Sequence, residues 1–457
     1  MNIEADNLDR LTKLVIDQRR CSPGEAGEFL SSLTLQIVCG EEIRTSTALQ
    51  AALLTTVNAG ARAFRGGVFV ELPVNVGCIL PAALEATLTE AVINLGATVD
   101  RTPCSPSFQI STLPLPISET PGIQMSASGW TGAILPLDHN EAIRGAAPDF
   151  ALGGVLAAGL AVGRAFLTVS GLNHYDLEEP EGASLWRPDL SWDSPEAIGP
   201  ELRFLPERLA LLGLGHLGQA FAWTLGMLSR PTSTSMLLQL IDFDRVVKAN
   251  HAAGLLCTPQ SIGKLKTRVV SDWLEARGIE TRLSERRLDN SFKVQPTEPK
   301  IAICGLDSAE SRSNLDKGGW DHVIDVGIGG GIQNFDRFRL NTFPDSSRGS
   351  RSFLNQQSSL VDPDLAAHYR KYMPNEGCGM IAENLAGRSI SSAFVGATAS
   401  AFAIGELLRG LHGGSRISRL DFEIRSPRFS LRCQRDSESY LTRLAPNGFI
   451  ELIELPS

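Results

Sequence analysis

From Arg208 to Leu228 the chain reads RLALLGLGHLGQAFAWTLGML: an apolar run, three glycines within six positions, then apolar residues at helical spacing. This pattern predicts a buried strand, a glycine turn and a helix. After a Pro/Ser/Thr break at 231–235, MLLQLIDFD predicts a second buried strand ending in Asp242 and Asp244. Helical periodicity over Ile262–Arg277, with Gly278 as its stop, and the apolar run KIAICGLD at Lys300–Asp307 predict a further helix and strand. HVIDVGIGGG, from His322 to Gly331, adds one more strand and a glycine exit. The order βαβαβ is that of a doubly wound parallel sheet.

A fainter copy lies upstream. LTLQIVCG (Leu33–Gly40) predicts a strand, Thr45–Ala63 a helix and GVFVELP (Gly67–Pro73) the next strand, but Gly40 is followed by EEIRTST and no glycine fingerprint. Small residues echo at a shift of 242: Gly154, Ala157, Ala161 and Gly163 match Gly396, Ala399, Ala403 and Gly405. Such residues at helical spacing permit close helix packing. A degenerate domain is therefore expected at 1–177, a Pro/Glu/Asp-rich linker at 178–206, a complete domain at 207–417 and a short β segment at 418–457 (LDFEIRS, FSLRCQ, FIELIEL).

Composition bounds this picture. The chain has 457 residues, 43% hydrophobic and 20% charged, the balance of a folded multidomain protein. A net charge of −9 argues against coating nucleic acid or an anionic membrane. The longest apolar stretch, Phe150–Gly163, stops at Arg164, short of a membrane span, and the acidic start MNIEADNLDRL has no signal-peptide pattern. A cytoplasmic protein without nucleic-acid or membrane partners is expected. Eight cysteines without a CxxC pair show neither a zinc knuckle nor a dithiol site, and Cys39 and Cys304 sit in strand-like runs as small apolar side chains.

Gly213, Gly215 and Gly218 place backbone N–H groups and a helix N-terminus where a phosphate can approach, and Asp242 follows at a strand end, where it can reach a ribose. These features alone leave an NAD(P)-dependent oxidoreductase and an ATP enzyme equally open. Asn250 then lies eight residues beyond Asp242, Ile262-Gly263 precedes Lys266, and Asp307 ends a strand ahead of Arg312 and Asn314. A cation to neutralise phosphate charge and a carboxylate to hold Mg²⁺ suit attack on the α-phosphorus of ATP better than hydride transfer.

In this series the sequence resembles the ThiF/MoeB/HesA superfamily, the adenylating domain of ubiquitin-activating enzymes, from about Arg208 to Asn314 and again in the helix around Ala393–Leu408. The resemblance implies an α/β fold of two Rossmann-like ThiF-type domains arranged as a pseudo-dimer, only the second active, with a small C-terminal β extension. By position it implies that Gly213, Gly215 and Gly218 cradle ATP, Asp242 binds ribose, Asn250 and Lys266 contact phosphates, and Asp307 holds Mg²⁺. An arginine from the inactive half reaches the nucleotide in such enzymes, and Arg19 and Arg20 are the candidates here. Cys378, in the crossover region, would accept the acyl group as a thioester, with Cys257 a weaker candidate. The expected partners are the C-terminus of a ubiquitin-like protein and a conjugating enzyme, and a homodimer is left open. Adenylation for sulfur transfer, or for peptide or tRNA modification without a thioester, is the alternative. One departure stands out: where the pattern carries Arg-Gln, this chain has Ala253 and Gly254, so that His251, another base or the first half must supply the missing cation, or turnover is slow.

Overall fold

A computed structural model describes residues 8–99, 105–140, 148–173, 177–344, 349–355, 362–372, 379–427, 432–439 and 444–452. Two sheets form its frame. In the first half, α1 (Arg10–Arg19) and α2 (Pro23–Ser32) precede β1 (Thr34–Val38), α3 (Thr47–Ala63), β2 (Gly67–Glu71), α4 (Leu88–Asn94), β3 (Ala97–Val99), β4 (Phe108–Ser111), β5 (Gly122–Ser128), β6 (Thr131–Pro136), α5 (Ala151–Val169) and β7 (Glu181–Ser184). Spatially the strands run β3-β2-β1-β4-β5-β6-β7. Strands β1 to β5 pair in parallel, with Thr34 opposite Gly67 and Leu35 opposite Phe108, while β6 and β7 join antiparallel.

The second half repeats that winding. After the short β8 (Phe204–Pro206) come β9 (Arg208–Leu212), α6 (His216–Met227), β10 (Leu237–Ile241), α7 (Lys266–Glu275), β11 (Glu280–Ser284), β12 (Ile301–Cys304), α8 (Ala309–Arg312), β13 (His322–Ile328) and β14 (Arg337–Phe343). Then follow α9 (Pro363–Arg370), α10 (Gly379–Gly387), α11 (Ala393–Leu411), β15 (Ser415–Glu423), β16 (Arg432–Ser439) and β17 (Phe449–Glu451). The order β11-β10-β9-β12-β13-β14-β15-β16 matches the first sheet strand for strand and adds one at the edge. The expected duplication, two doubly wound α/β units, is what the chain folds into.

Helices α5 and α11 lie at the junction of the halves, and their bounds are offset by the same 242 residues as the small-residue echo. Each is apolar and long enough to cross a membrane by length and composition, yet both are buried in the interior. Close approach explains the glycines: a Cβ at Gly159 would lie 2.2 Å from Thr398 Oγ1, and one at Gly163 2.5 Å from Ile424 Cγ2. Arg164, which interrupts the apolar run, is itself buried and donates to Glu181 Oε2 at 2.5 Å, pinning β7 to α5.

Three boundaries differ from expectation. The strand Glu181–Ser184 lies inside the stretch read as linker, because EGAS has no apolar alternation and forms only by pairing with β6. The segment beyond 417 is part of the second half: β15 and β16 continue its sheet, while β17 pairs with β8. Finally, α7 starts at Lys266 rather than Ile262, since Gly263 takes φ +87° and Leu265 bridges to Arg245. Gly278, at φ +72°, ends the helix as read.

Candidate nucleotide site at the second sheet

The order of the second sheet reverses between β9 and β12, the place where such sheets leave a crevice at their carboxyl ends. The glycine turn leaves β9 there. Gly213 adopts φ +79°, and a Cβ on Gly218 would lie 2.0 Å from the Gly213 carbonyl oxygen, so both glycines are required by the turn itself. Gly215 is different. It is the N-cap of α6 and gives that helix no side-chain cap, and a Cβ built on it meets nothing within 4 Å. The uncapped helix start thus faces open space, where an anion would find free N–H groups.

Asp242 supports this turn from beneath. One carboxylate oxygen accepts from Leu214 N at 2.6 Å and the other from Asp244 N at 2.7 Å. Burial raises the pKa of the carboxyl, against the opposing pull of Lys266. Lys266, first residue of α7, donates through Nζ to Asp244 Oδ2 at 2.8 Å and through its backbone N to the Asp244 carbonyl at 2.9 Å. Asn250 closes its own turn, its Oδ1 accepting from Val247 N at 2.9 Å and its carbonyl from Gly254 N at 2.8 Å. Asp307 is exposed beyond the end of β12, one residue after Leu306, whose side chain presses on Gly213. Among the described residues nothing hydrogen-bonds its carboxylate, and no cluster of three or more His, Cys, Asp or Glu is placed to hold a metal.

Gly213, Gly215, Gly218, Asp242 and Asp307 thus follow the carboxyl ends of β9, β10 and β12, and Lys266 joins them through Asp244, with Asn250 in the loop that follows β10. Arg20 is placed elsewhere. At the left-handed end of α1 it donates to Asp362 Oδ2 at 2.9 Å and borders a cavity of about 540 Å³ between the halves, lined also by Gln18, Gly330, Gly331, Leu365 and Arg388. Arg19 lies over the Phe29 ring at 3.6 Å. Burial, and after it the charge of Arg10 on α1, lowers the pKa of His216 beside the glycine turn to about 4. Partial burial, then the charges of Arg62 and Arg65, hold the His251 pKa below the usual imidazole value, which disfavours the charged form there. Cys257 is buried, and burial pushes its thiol up against the hydrogen bond it accepts from Gln219 Nε2 at 3.2 Å, so that burial is adverse to a thioester role. Cys378 lies outside the described residues.

The matching place in the first half is closed to anions. The helix after β1, α3, has its N-terminal N–H groups taken by Asp149, which accepts from Thr47 N at 2.7 Å and Ala48 N at 2.9 Å. Glu41 and Glu42 stand exposed in the turn that leads to it. An internal carboxylate fills the anion position that the second half leaves open.

Two family models match in tandem: the BilD N-terminal domain over residues 34–185 and the BilD C-terminal domain over 205–414. A curated relative, the bacterial E1-like protein BilD of Collimonas sp. (strain OK412), is 36% identical over 424 residues, covering 91% of each chain. The chain belongs to the BilD family. Every described residue of the crevice falls in the BilD C-terminal domain, as does Cys378, whereas Asp149 belongs to the BilD N-terminal domain and α1 precedes both. Two solved structures also align. A selenomethionine crystal structure of PaaA has a TM-score of 0.32 at 14% identity, covering 50% of this chain and 63% of its own. E. coli MccB with MccA-N7isoASN has a TM-score of 0.35 at 12% identity, covering 70% and 96%. At these scores they add nothing to the fold described above.

Of the polar groups around the crevice, sequence pattern pointed to the glycines, the acids, Asn250 and Lys266. It gave no sign of Gln219 or Arg62, nor of Asp149 at the matching helix of the first half, whose roles depend on contacts distant in sequence. For Gln219 a local signal exists, four residues into the helix after the turn, but the resemblance assigns that position nothing.

Proposed function

We propose that this chain is an E1-like adenylyltransferase that uses ATP to activate the C-terminal carboxylate of a small ubiquitin-like protein, and that the second half holds the nucleotide. The observation that carries the reading is the uncapped N-terminus of α6, open at Gly215, in the half that also carries Lys266 and Asp307, where the equivalent helix of the first half is capped by Asp149. The relative's designation as a bacterial E1-like protein agrees with it.

In this scheme a carboxylate oxygen of the partner attacks the α-phosphorus, the bond to the bridging oxygen of the β-phosphate breaks, and pyrophosphate leaves. The N–H groups at Gly215 and the ammonium of Lys266 counter the charge that builds on the phosphates. Asp307, a single exposed carboxylate, suits Mg²⁺, an ion usually held by one or two carboxylates together with phosphate oxygens; when bound it would neutralise charge on the departing pyrophosphate. Asp242 keeps the turn in register and lies within reach of a ribose. Arg10 supplies positive charge from the first half, the part assigned above to Arg19 or Arg20. The cavity between α1 and the exit of β13 is a seat for the partner's extended tail. Cys378 then takes the acyl group, its sulfur attacking the carbonyl carbon while AMP leaves, before transfer to a conjugating-enzyme cysteine.

ATP–pyrophosphate exchange that depends on a partner protein ending in glycine should be present in the wild type and lost in Asp307→Ala. Exchange surviving that substitution would remove Asp307 from the scheme. Exchange in Cys378→Ala should persist while a thiol-sensitive adduct with the partner disappears.

A further inference from the structure

Helix α3 of the first half ends with a side chain that enters the second. Arg62 donates through Nε to the Gly254 carbonyl at 3.0 Å and through Nη2 to the carbonyls of Leu255 at 3.0 Å and Cys257 at 3.3 Å; Nη1 donates to the Asn58 carbonyl at 2.6 Å and also meets its Oδ1. Asn58, one helical turn earlier, donates to the same Leu255 carbonyl at 3.1 Å. Among the described residues Arg62 pairs with no carboxylate, and burial lowers its pKa to about 10. A charge placed this way is costly unless its geometry matters.

What the guanidinium grips is one end of a short relay. Gln219, in the first turns of α6, accepts from Leu256 N at 3.0 Å, donates to Cys257 Sγ at 3.2 Å and donates to the Leu214 carbonyl of the glycine turn at 3.3 Å. It also fills the space beside Gly254, where a Cβ would lie 2.5 Å from its Oε1. The loop 254–257 is thus clamped between Arg62 on one side and the glycine turn on the other, and the Asn250 carbonyl is tied to its first residue.

We propose that Arg62 is a positioning residue for the nucleotide loop: the half without the glycine fingerprint sets, through this fork and Gln219, the geometry of the turn on the half that has it. This rests on the second half being the ATP site. The planar fork is what spans the carbonyls of Gly254, Leu255 and Cys257, so a lysine, a point donor, cannot take its place.

Calorimetric titration of the full chain with ATP·Mg tests it. Arg62→Gln and Arg62→Lys should each weaken ATP binding about tenfold or more, and in the exchange assay raise KM for ATP while leaving KM for the acyl partner unchanged. Gln219→Met, which cuts the relay without touching Arg62, should reproduce the defect and carries the test where the Arg62 variants do not fold. Wild-type ATP affinity in a folded Arg62→Gln or Gln219→Met protein overturns the proposal, as does full affinity in Arg62→Lys, which would make charge rather than geometry the cause. Failure of the wild type to bind ATP would instead remove the nucleotide reading beneath it.

Discussion

The three glycines of the turn are not equivalent, and substitution separates their roles. Gly218→Ala drives a methyl into the Gly213 carbonyl and should cost about 1–3 kcal/mol of stability, read from the urea midpoint. Gly215→Ala meets no protein atom and should leave stability within about 0.5 kcal/mol of wild type, yet abolish the thermal stabilisation given by ATP·Mg, because its methyl occupies the anion's approach. His216 adds a pH dependence. Its unfolded pKa of 6.5 drops to about 4 on folding, so between those values the unfolded chain binds the proton and the folded one does not. Stability therefore falls as pH drops from about 6.5 towards 4, by up to about 2 kcal/mol at pH 5. His216→Gln should remove that part of the acid limb in denaturation measured at pH 7 and pH 5, and an unchanged limb would contradict the neutral, buried imidazole.

Among elements, the joint between α5 and α11 and the contact of α1 with α9 bear most on the site. Gly159→Val on α5 collides with Thr398 across the joint, and should lower the melting temperature by the several degrees that follow from about 1–3 kcal/mol. Helix α1, which carries Arg10 and brings Arg20 to the cavity, is anchored by a buried group: Asp17 pairs with Lys13 and accepts from Tyr369 Oη at 2.5 Å on α9. Tyr369→Phe leaves that carboxylate one donor short and should cost about 1–2 kcal/mol, with ATP affinity reduced less than by Gly215→Ala. Strands that bury both faces, such as LQLI in β10 or IAIC in β12, were readable because their composition admits no other placement. EGAS in β7 was not, and of β16 only its start was, in FSLRCQ, because polar edge strands take their form from the neighbour they pair with. The start of α7 escaped the periodicity because a glycine with positive φ intervenes.

At the scale of the molecule, duplication was legible in the small-residue echo and the absent glycines, both confined to single segments. The reason only one half leaves this helix start without a carboxylate cap was not. It lies in Asp149, roughly a hundred positions from the helix it caps, and in a loop of one half held by an arginine of the other. Local pattern names the residues of a turn; the long-range partners that open or close it leave no periodicity. The two halves are alike in winding and opposite in electrostatics at the same point of the fold. Titration of the intact chain with ATP·Mg, and separately with NAD, measures this asymmetry directly. One ATP per chain, abolished by Gly215→Ala, with no NAD bound, is the predicted result; two ATP per chain, binding that survives Gly215→Ala, or NAD in preference to ATP would contradict it.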